Sequence, residues 1–279
     1  MVVGARFGNT ELHYKFTLAI TPHLCIMVHT VEVCGDSLTK VIMANKKGKK
    51  YTNNKECVNI WDRATITAKN DKQKTYLNAI DNASIILGTG VSGSGKSTLA
   101  AWKAIDMLDD NSSPIERIII ARPNQIEGTR SLGSLPGTKN EKMMPWVAPV
   151  ANAIKQRIGK YRYEKLVEKE IIELLPLEHI KGLTFNNTFV IIDEAEAEDI
   201  EWSVLKTLLL RKGMDSKLAI NGDIRQQSLR GTSGLSVILD VLDKYDYVPI
   251  RHIDFDDWKY CVRDKDTAGL GQLFEEMNI

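Results

Sequence analysis

The eight residues Gly90-Val91-Ser92-Gly93-Ser94-Gly95-Lys96-Ser97 constrain this chain more than any other stretch, because they fit G-x-x-x-x-G-K-[ST]. The glycines let backbone N–H groups turn inward around phosphate oxygens. Lys96 supplies positive charge to the β- and γ-phosphates, the Ser97 hydroxyl suits Mg²⁺, and Thr98 opens a helix whose positive end faces the anion. A flexible glycine turn would satisfy the same letters, but the flanks argue against it. An apolar run at 84–87 precedes the loop and an amphipathic stretch at 98–108 follows it, which is the strand–loop–helix context the motif requires.

The same rhythm continues downstream. Residues 117–121, 188–192 and 217–221 are near-continuous apolar runs, and 247–253 is a weaker one. Such runs suit strands covered on both faces of a parallel sheet. Ile200, Val204, Leu205, Leu208 and Leu209 share one face of a helix that is expected to close at Arg211-Lys212-Gly213, with Gly213 at the position after the cap. Strand–helix alternation predicts an α/β fold with a mostly parallel sheet and helices on both faces over residues 61–279. Residues 1–60 show no clear period and read as an N-terminal extension. Met43 looks like a natural translation start, so residues 1–42 are expected to be a mis-assigned beginning.

A second element is required if the loop binds a triphosphate: an apolar strand ending in an acidic residue that reaches the metal. Phe189-Val190-Ile191-Ile192-Asp193-Glu194 supplies it. Asp193 would hold Mg²⁺, and Glu194 would orient and deprotonate an attacking water. A helix N-terminus rich in carboxylates is the plainer reading of the acidic stretch 194–201, but four apolar residues running into Asp-Glu favour the strand. Gly222-Asp223-Ile224-Arg225-Gln226 follows another buried strand, which makes Gln226 a candidate γ-phosphate contact. Arg211 and Arg263 are candidate arginine fingers, although a surface ion pair is the commoner fate of a lone arginine.

Composition sets limits on the rest. With 279 residues, 43% hydrophobic and 26% charged, the chain is ordinary for a globular protein. The net charge of +1 conceals an uneven spread: residues 1–75 carry 12 Lys/Arg and 6 Asp/Glu. The densest run, Lys46-Lys47-Gly48-Lys49-Lys50, reads as a solvated tail, with nucleic-acid contact as the sharper alternative. Cys25, Cys34, Cys57 and Cys261 lack metal-site spacing and read as reduced thiols. Residues 16–33 are apolar but interrupted by polar side chains, which is too polar for a membrane span. The expected location is cytoplasmic, with no membrane contact.

With these pieces in order, the chain resembles the PhoH family of ATPases, whose core is similar to that of superfamily-one helicases. Asn70-Asp71-Lys72-Gln73 resembles a Q-motif, so the resemblance implies that Gln73 reads adenine. Ala121-Arg122-Pro123 resembles the family's R-P segment, and Leu132-Gly133-Ser134-Leu135-Pro136-Gly137 its L-G-x-L-P-G loop. Gly182-Leu183-Thr184-Phe185-Asn186-Asn187 leads into the Walker B strand as the family's G-x-T-F-N-N does. Glu196 stands where the family usually has Gln, and Cys261 where its F-x-x-x-D-x-V-R pattern has an acidic residue.

The resemblance implies a RecA-like core in a homo-oligomeric ring, with hexamers expected and Arg211 or Arg263 acting in trans. It also implies ATP-driven work on RNA or single-stranded DNA. Arg122, Arg130, Lys139, Lys142 and Trp146 could hold such a strand, or could line a solvated interface loop. A nucleotide or small-molecule kinase and a non-catalytic ATP-dependent binding module are the alternatives. Glu directly after Asp193 favours water attack over the kinase.

Overall fold

The computed structural model describes residues 2–7, 10–21, 24–33, 36–41, 63, 65–122, 139–177, 180, 184–196, 201–226 and 233–277. The lysine run at 46–50, Arg130, the 132–137 loop, Leu183 and Ile200 lie outside these residues, as does the proposed start at Met43. Two compact units divide at Asn54 and Lys55.

Where the sequence showed no period, the first unit has four strands: β1 (Val2–Phe7), β2 (Thr10–Thr21), β3 (Leu24–Val33) and β4 (Asp36–Val41). They pair in sequence order as an antiparallel meander, with Phe7 opposite Thr10, Thr21 opposite Leu24 and Val33 opposite Asp36. The apolar stretch considered as a membrane span is therefore two paired strands. Among the described residues, no helix is long and apolar enough to cross a membrane.

The second unit is a six-stranded sheet. Its strands are β5 (Ile85–Gly90), β6 (Arg117–Arg122), β7 (Ile172–Pro176), β8 (Thr188–Ile192), β9 (Lys217–Asn221) and β10 (Arg251–Phe255). They lie in the order β10-β5-β9-β8-β6-β7, and every pairing is parallel. Alternation of side chains across each strand builds two separate cores. Ile86, Ile118, Ile120, Phe189 and Ile191 face one side, while Ile85, Leu87, Ile119, Val190 and Ile192 face the other.

Helices α1 (Asp71–Asn82), α2 (Lys96–Asp109), α3 (Lys139–Ile158) and α4 (Lys160–Glu168) cover the first face. Helices α5 (Trp202–Leu210) and α6 (Gly234–Lys244) cover the second. A last helix, α7 (Lys265–Glu276), buries no residue. The α/β architecture with helices on both faces is thus the one the sequence predicted. β7 was missed, because Ile172-Glu173-Leu174-Leu175-Pro176 is short and follows a helix with little punctuation.

One local expectation is corrected. Arg211, not Gly213, follows the last helical residue of α5, and its N–H bonds the carbonyls of Thr207 and Leu208. Gly213 serves a different purpose. Its N–H donates to Phe185 O at 2.7 Å, and a Cβ there would collide with the Phe185 backbone and Asn186. The glycine is required by a close approach of two chain segments rather than by a left-handed turn.

Candidate functional site

Parallel strands bring their carboxyl ends to one edge of the sheet, where ligands of open α/β folds sit. Here that edge gathers the ends of β5, β8 and β9. Because β9 lies between β5 and β8, residues 221–226 fall between the glycine loop and Asp193-Glu194. The resulting cavity of about 510 Å³ is lined by Ser92 through Thr98, Gln73, Asp193, Glu194, Gln226 and Arg263. Trp102, Gln156, Glu196 and Asp223 complete much of its wall, and the sequence had given none of these four a role there.

Backbone sterics fix the loop. Gly90 has φ +101°, and a Cβ at this position would land on the Phe255 backbone of β10. Val91, next along, is fully buried, and its N–H donates to Phe255 O at 2.9 Å. Gly90 and Val91 are therefore anchors of the loop and not part of the cavity wall. Their carbonyls do take part: Lys96 Nζ donates to Gly90 O at 2.7 Å, Val91 O at 2.9 Å and Ser94 Oγ at 3.0 Å. Burial lowers the Lys96 pKa from the ordinary lysine range, opposed by the carboxylates of Asp223, Asp193, Glu196 and Asp254.

Two elements 96 positions apart meet at Ser97, whose hydroxyl donates to Asp193 Oδ1 at 2.5 Å. Burial pushes the Asp193 carboxyl above its usual range, while the Ser97 hydroxyl, Arg122 and Lys96 hold it down. A hydroxyl and a carboxylate form a hard oxygen donor pair that suits Mg²⁺, which takes few protein ligands and completes its shell with phosphate and water. Among the described residues, no group of three or more His, Cys, Asp or Glu is placed to hold a metal alone.

Glu194 has φ +58°, a left-handed backbone that carries a strain of about 1–3 kcal/mol in a non-glycine residue. Its neighbours hold it there: Asp193 N–H donates to Ala121 O and Ala195 N–H to Asn221 O. The Glu194 carboxylate is not free. Arg122, at the end of the adjacent strand β6, donates Nε to Glu194 Oε2 at 2.7 Å and pairs through Nη2 with Oε1. The same guanidinium donates Nη1 to the Trp146 carbonyl of α3. Arg122, for which the sequence leaves open a nucleic-acid contact or a solvated interface loop, turns its donors to Glu194 and α3. The Trp146 indole N–H is buried without a partner. The side chains of Lys139 and Lys142 lie outside the described set.

The remaining candidates separate. Gln73 is 3% exposed; its Oε1 accepts from Lys69 N–H and its Nε2 donates to Ser94 O, both at 2.8 Å. It therefore braces the loop and keeps one further donor and acceptor. Gln226 sits in a short 3-10 turn, with Nε2 on Asp223 Oδ2 at 3.0 Å. Glu196 accepts from Asp223 N–H, and burial raises its pKa. Arg263 and Cys261 flank Gly93. Arg211, beside the Phe185–Lys212 bridge, lies at the amino ends of β8 and β9, at the opposite edge of the sheet from the cavity.

A buried relay that the sequence did not show ties this floor to α1. Tyr76 donates its hydroxyl to Asn221 Oδ1 at 2.6 Å, while Asn221 Nδ2 is buried without a partner. Burial holds the Tyr76 phenol well above its usual range. Tyr76→Phe keeps the ring and its edge contact with Phe255 but leaves the amide unpaired on both atoms. We expect a loss of about 1–3 kcal/mol in chemical denaturation. Unchanged stability would show that the bond contributes nothing net.

A phosphate loop, a Ser–Asp oxygen pair and a neighbouring glutamate at the carboxyl edge of a parallel sheet are the features of a P-loop nucleotide-binding protein. The family description "PhoH-like protein" matches residues 65–275, and the chain belongs to that family. It is 36% identical over 191 residues to a PhoH-like protein of Mycobacterium tuberculosis, covering 68% of this chain and 53% of that one. Bacillus subtilis has a PhoH-like protein 33% identical over 216 residues, covering 77% and 65%. Protein PhoH of Escherichia coli is 35% identical over 206 residues, covering 72% and 56%. The chain thus spans little more than half the length of most of these relatives. Among solved structures, the large terminase of a thermophilic bacteriophage overlays with a TM-score of 0.46 at 15% identity, covering 72% of this chain and 49% of that one. A likeness at that level carries no argument about activity.

Proposed function

We propose that this protein hydrolyses ATP with Mg²⁺, coupled to RNA or single-stranded DNA, as a cytoplasmic homo-oligomeric ring, with hexamers expected. The observation that carries the reading is the Ser97–Asp193 contact, which joins the glycine loop to the end of β8 and leaves Glu194 in the same cavity. Lys96 and the loop amides would bind the phosphates, and Gln73 would face the base. Ser97 and Asp193 would hold Mg²⁺, which supplies positive charge to the phosphate oxygens when bound. Glu194 would take a proton as a water oxygen bonds to the γ-phosphorus and the bond to ADP breaks. Gln226 would follow the loss of the γ-phosphate. Of the two arginine candidates, Arg263 can act within its own chain, whereas Arg211 would need a neighbouring copy.

The test is phosphate release by the purified protein, with and without single-stranded RNA or DNA. Stimulation by a polynucleotide is the expected result, and turnover indifferent to both would redirect the partner search towards proteins. Chromatography of labelled products addresses the kinase alternative, because a new phosphorylated species in place of free phosphate would establish it.

A further inference from the structure

The Arg122–Glu194 pair has a consequence for how fast the site can work. Glu194 is the cavity carboxylate read above as the base, yet both of its oxygens already receive N–H donors from one guanidinium. A carboxylate held in this fork has two of its lone-pair sites taken and its direction fixed, so it cannot swing towards a water elsewhere in the cavity while the pair is closed. The Arg122 side chain is 14% exposed and that of Glu194 35%, so the pair is partly shielded from solvent. Arg122 also spans two elements, since Nη1 reaches the Trp146 carbonyl of α3. Pro145 and Pro149 bracket that carbonyl, and each removes a backbone donor from the helix ladder. Arg122 therefore grips a turn of α3 that lacks one ladder bond, the one Pro149 cannot give to the Pro145 carbonyl.

We propose that Arg122 is a positioning residue that restrains Glu194, so that a shift of α3 around Trp146 withdraws the guanidinium and frees the carboxylate for water. This rests on the reading of Glu194 as the base for ATP hydrolysis. It adds a built-in brake, whose release is governed by whatever binds against α3. Hydrolysis without such a partner is slow, because only the fraction of molecules with the pair open is competent.

The experiment compares phosphate release by the full chain as wild type, Glu194→Gln, Arg122→Gln, Arg122→Lys and the Arg122→Gln/Glu194→Gln double variant, without polynucleotide and over a range of ATP concentrations. Arg122→Gln should raise basal kcat roughly two- to fivefold, the factor by which a partly shielded ion pair biases two states. KM for ATP should stay within about twofold of wild type, because Arg122 does not touch the glycine loop. A residue needed only for folding would not raise kcat at constant KM. Arg122→Lys keeps the charge but not the fork and should fall between wild type and Arg122→Gln. The double variant should be as slow as Glu194→Gln.

Basal kcat at or below wild type in Arg122→Gln, with Glu194→Gln inactive, would overturn the restraint while leaving the hydrolysis reading intact. Full turnover by Glu194→Gln would overturn both the restraint and the assignment of Glu194 as the base. Should Arg122→Gln fail to fold, Arg122→Lys decides: a rise above wild type supports the restraint, and a value at or below wild type refutes it.

Discussion

Glu194→Gln should lower ATP turnover by roughly 10²–10⁴-fold while nucleotide affinity changes little. The amide keeps the size of the carboxylate and lies beyond reach of the Lys96 and loop contacts, so the binding cradle is untouched. What it loses is proton acceptance. It also loses the ionic half of the Arg122 fork, but freeing an amide that cannot act as a base restores nothing. The measurements are single-turnover phosphate release and a fluorescent-nucleotide titration. Turnover within a few-fold of wild type would show that Glu194 is idle, whereas wild-type turnover at background would point to the non-catalytic binding module.

Lys96→Ala should abolish detectable turnover and weaken nucleotide binding by about 100-fold or more. Two effects add in the same direction. The charge opposite the phosphates disappears, and a hydrogen bond to a charged group is worth about 1.5–3 kcal/mol, or one to two decades in affinity. In addition, Gly90 O, Val91 O and Ser94 Oγ lose their common donor, so the shape of the loop suffers as well as its charge. Lys96→Arg separates the two, because it keeps the charge but cannot fit its planar fork among three converging oxygens. If Lys96→Ala retained full activity, the glycine loop could not be the phosphate site.

The sequence was most legible where structure depends on a few consecutive residues. The glycine loop with its flanking strand and helix, the run into Asp193-Glu194 and the strands at 117–121, 188–192 and 217–221 are contiguous, and each takes its form from local sterics and from burial on two faces. Gln73, Ser97 and Gln226 line the cavity, because their motifs sit at the ends of such elements. Gly90 and Val91 also matched the pattern, yet they serve as anchors on β10. The letters of the motif do not say which carbonyls turn inward towards the lysine.

Other features depended on which strand lies beside which, and no local pattern encodes that order. β6 lies next to β8, so Arg122 meets Glu194 across 72 positions. β9 separates β5 from β8 and carries Asn221 to Tyr76, 145 positions away. Of two arginines that looked equivalent in sequence, Arg263 lies at the cavity and Arg211 at the opposite edge of the sheet. The chain by itself thus determined a phosphate loop, an acidic strand end and a parallel sheet, because each follows from short-range geometry and hydrophobic burial. Only the tertiary structure decided which charges share the cavity, because a contact between side chains distant in sequence exists only once the strands have taken their places in the sheet.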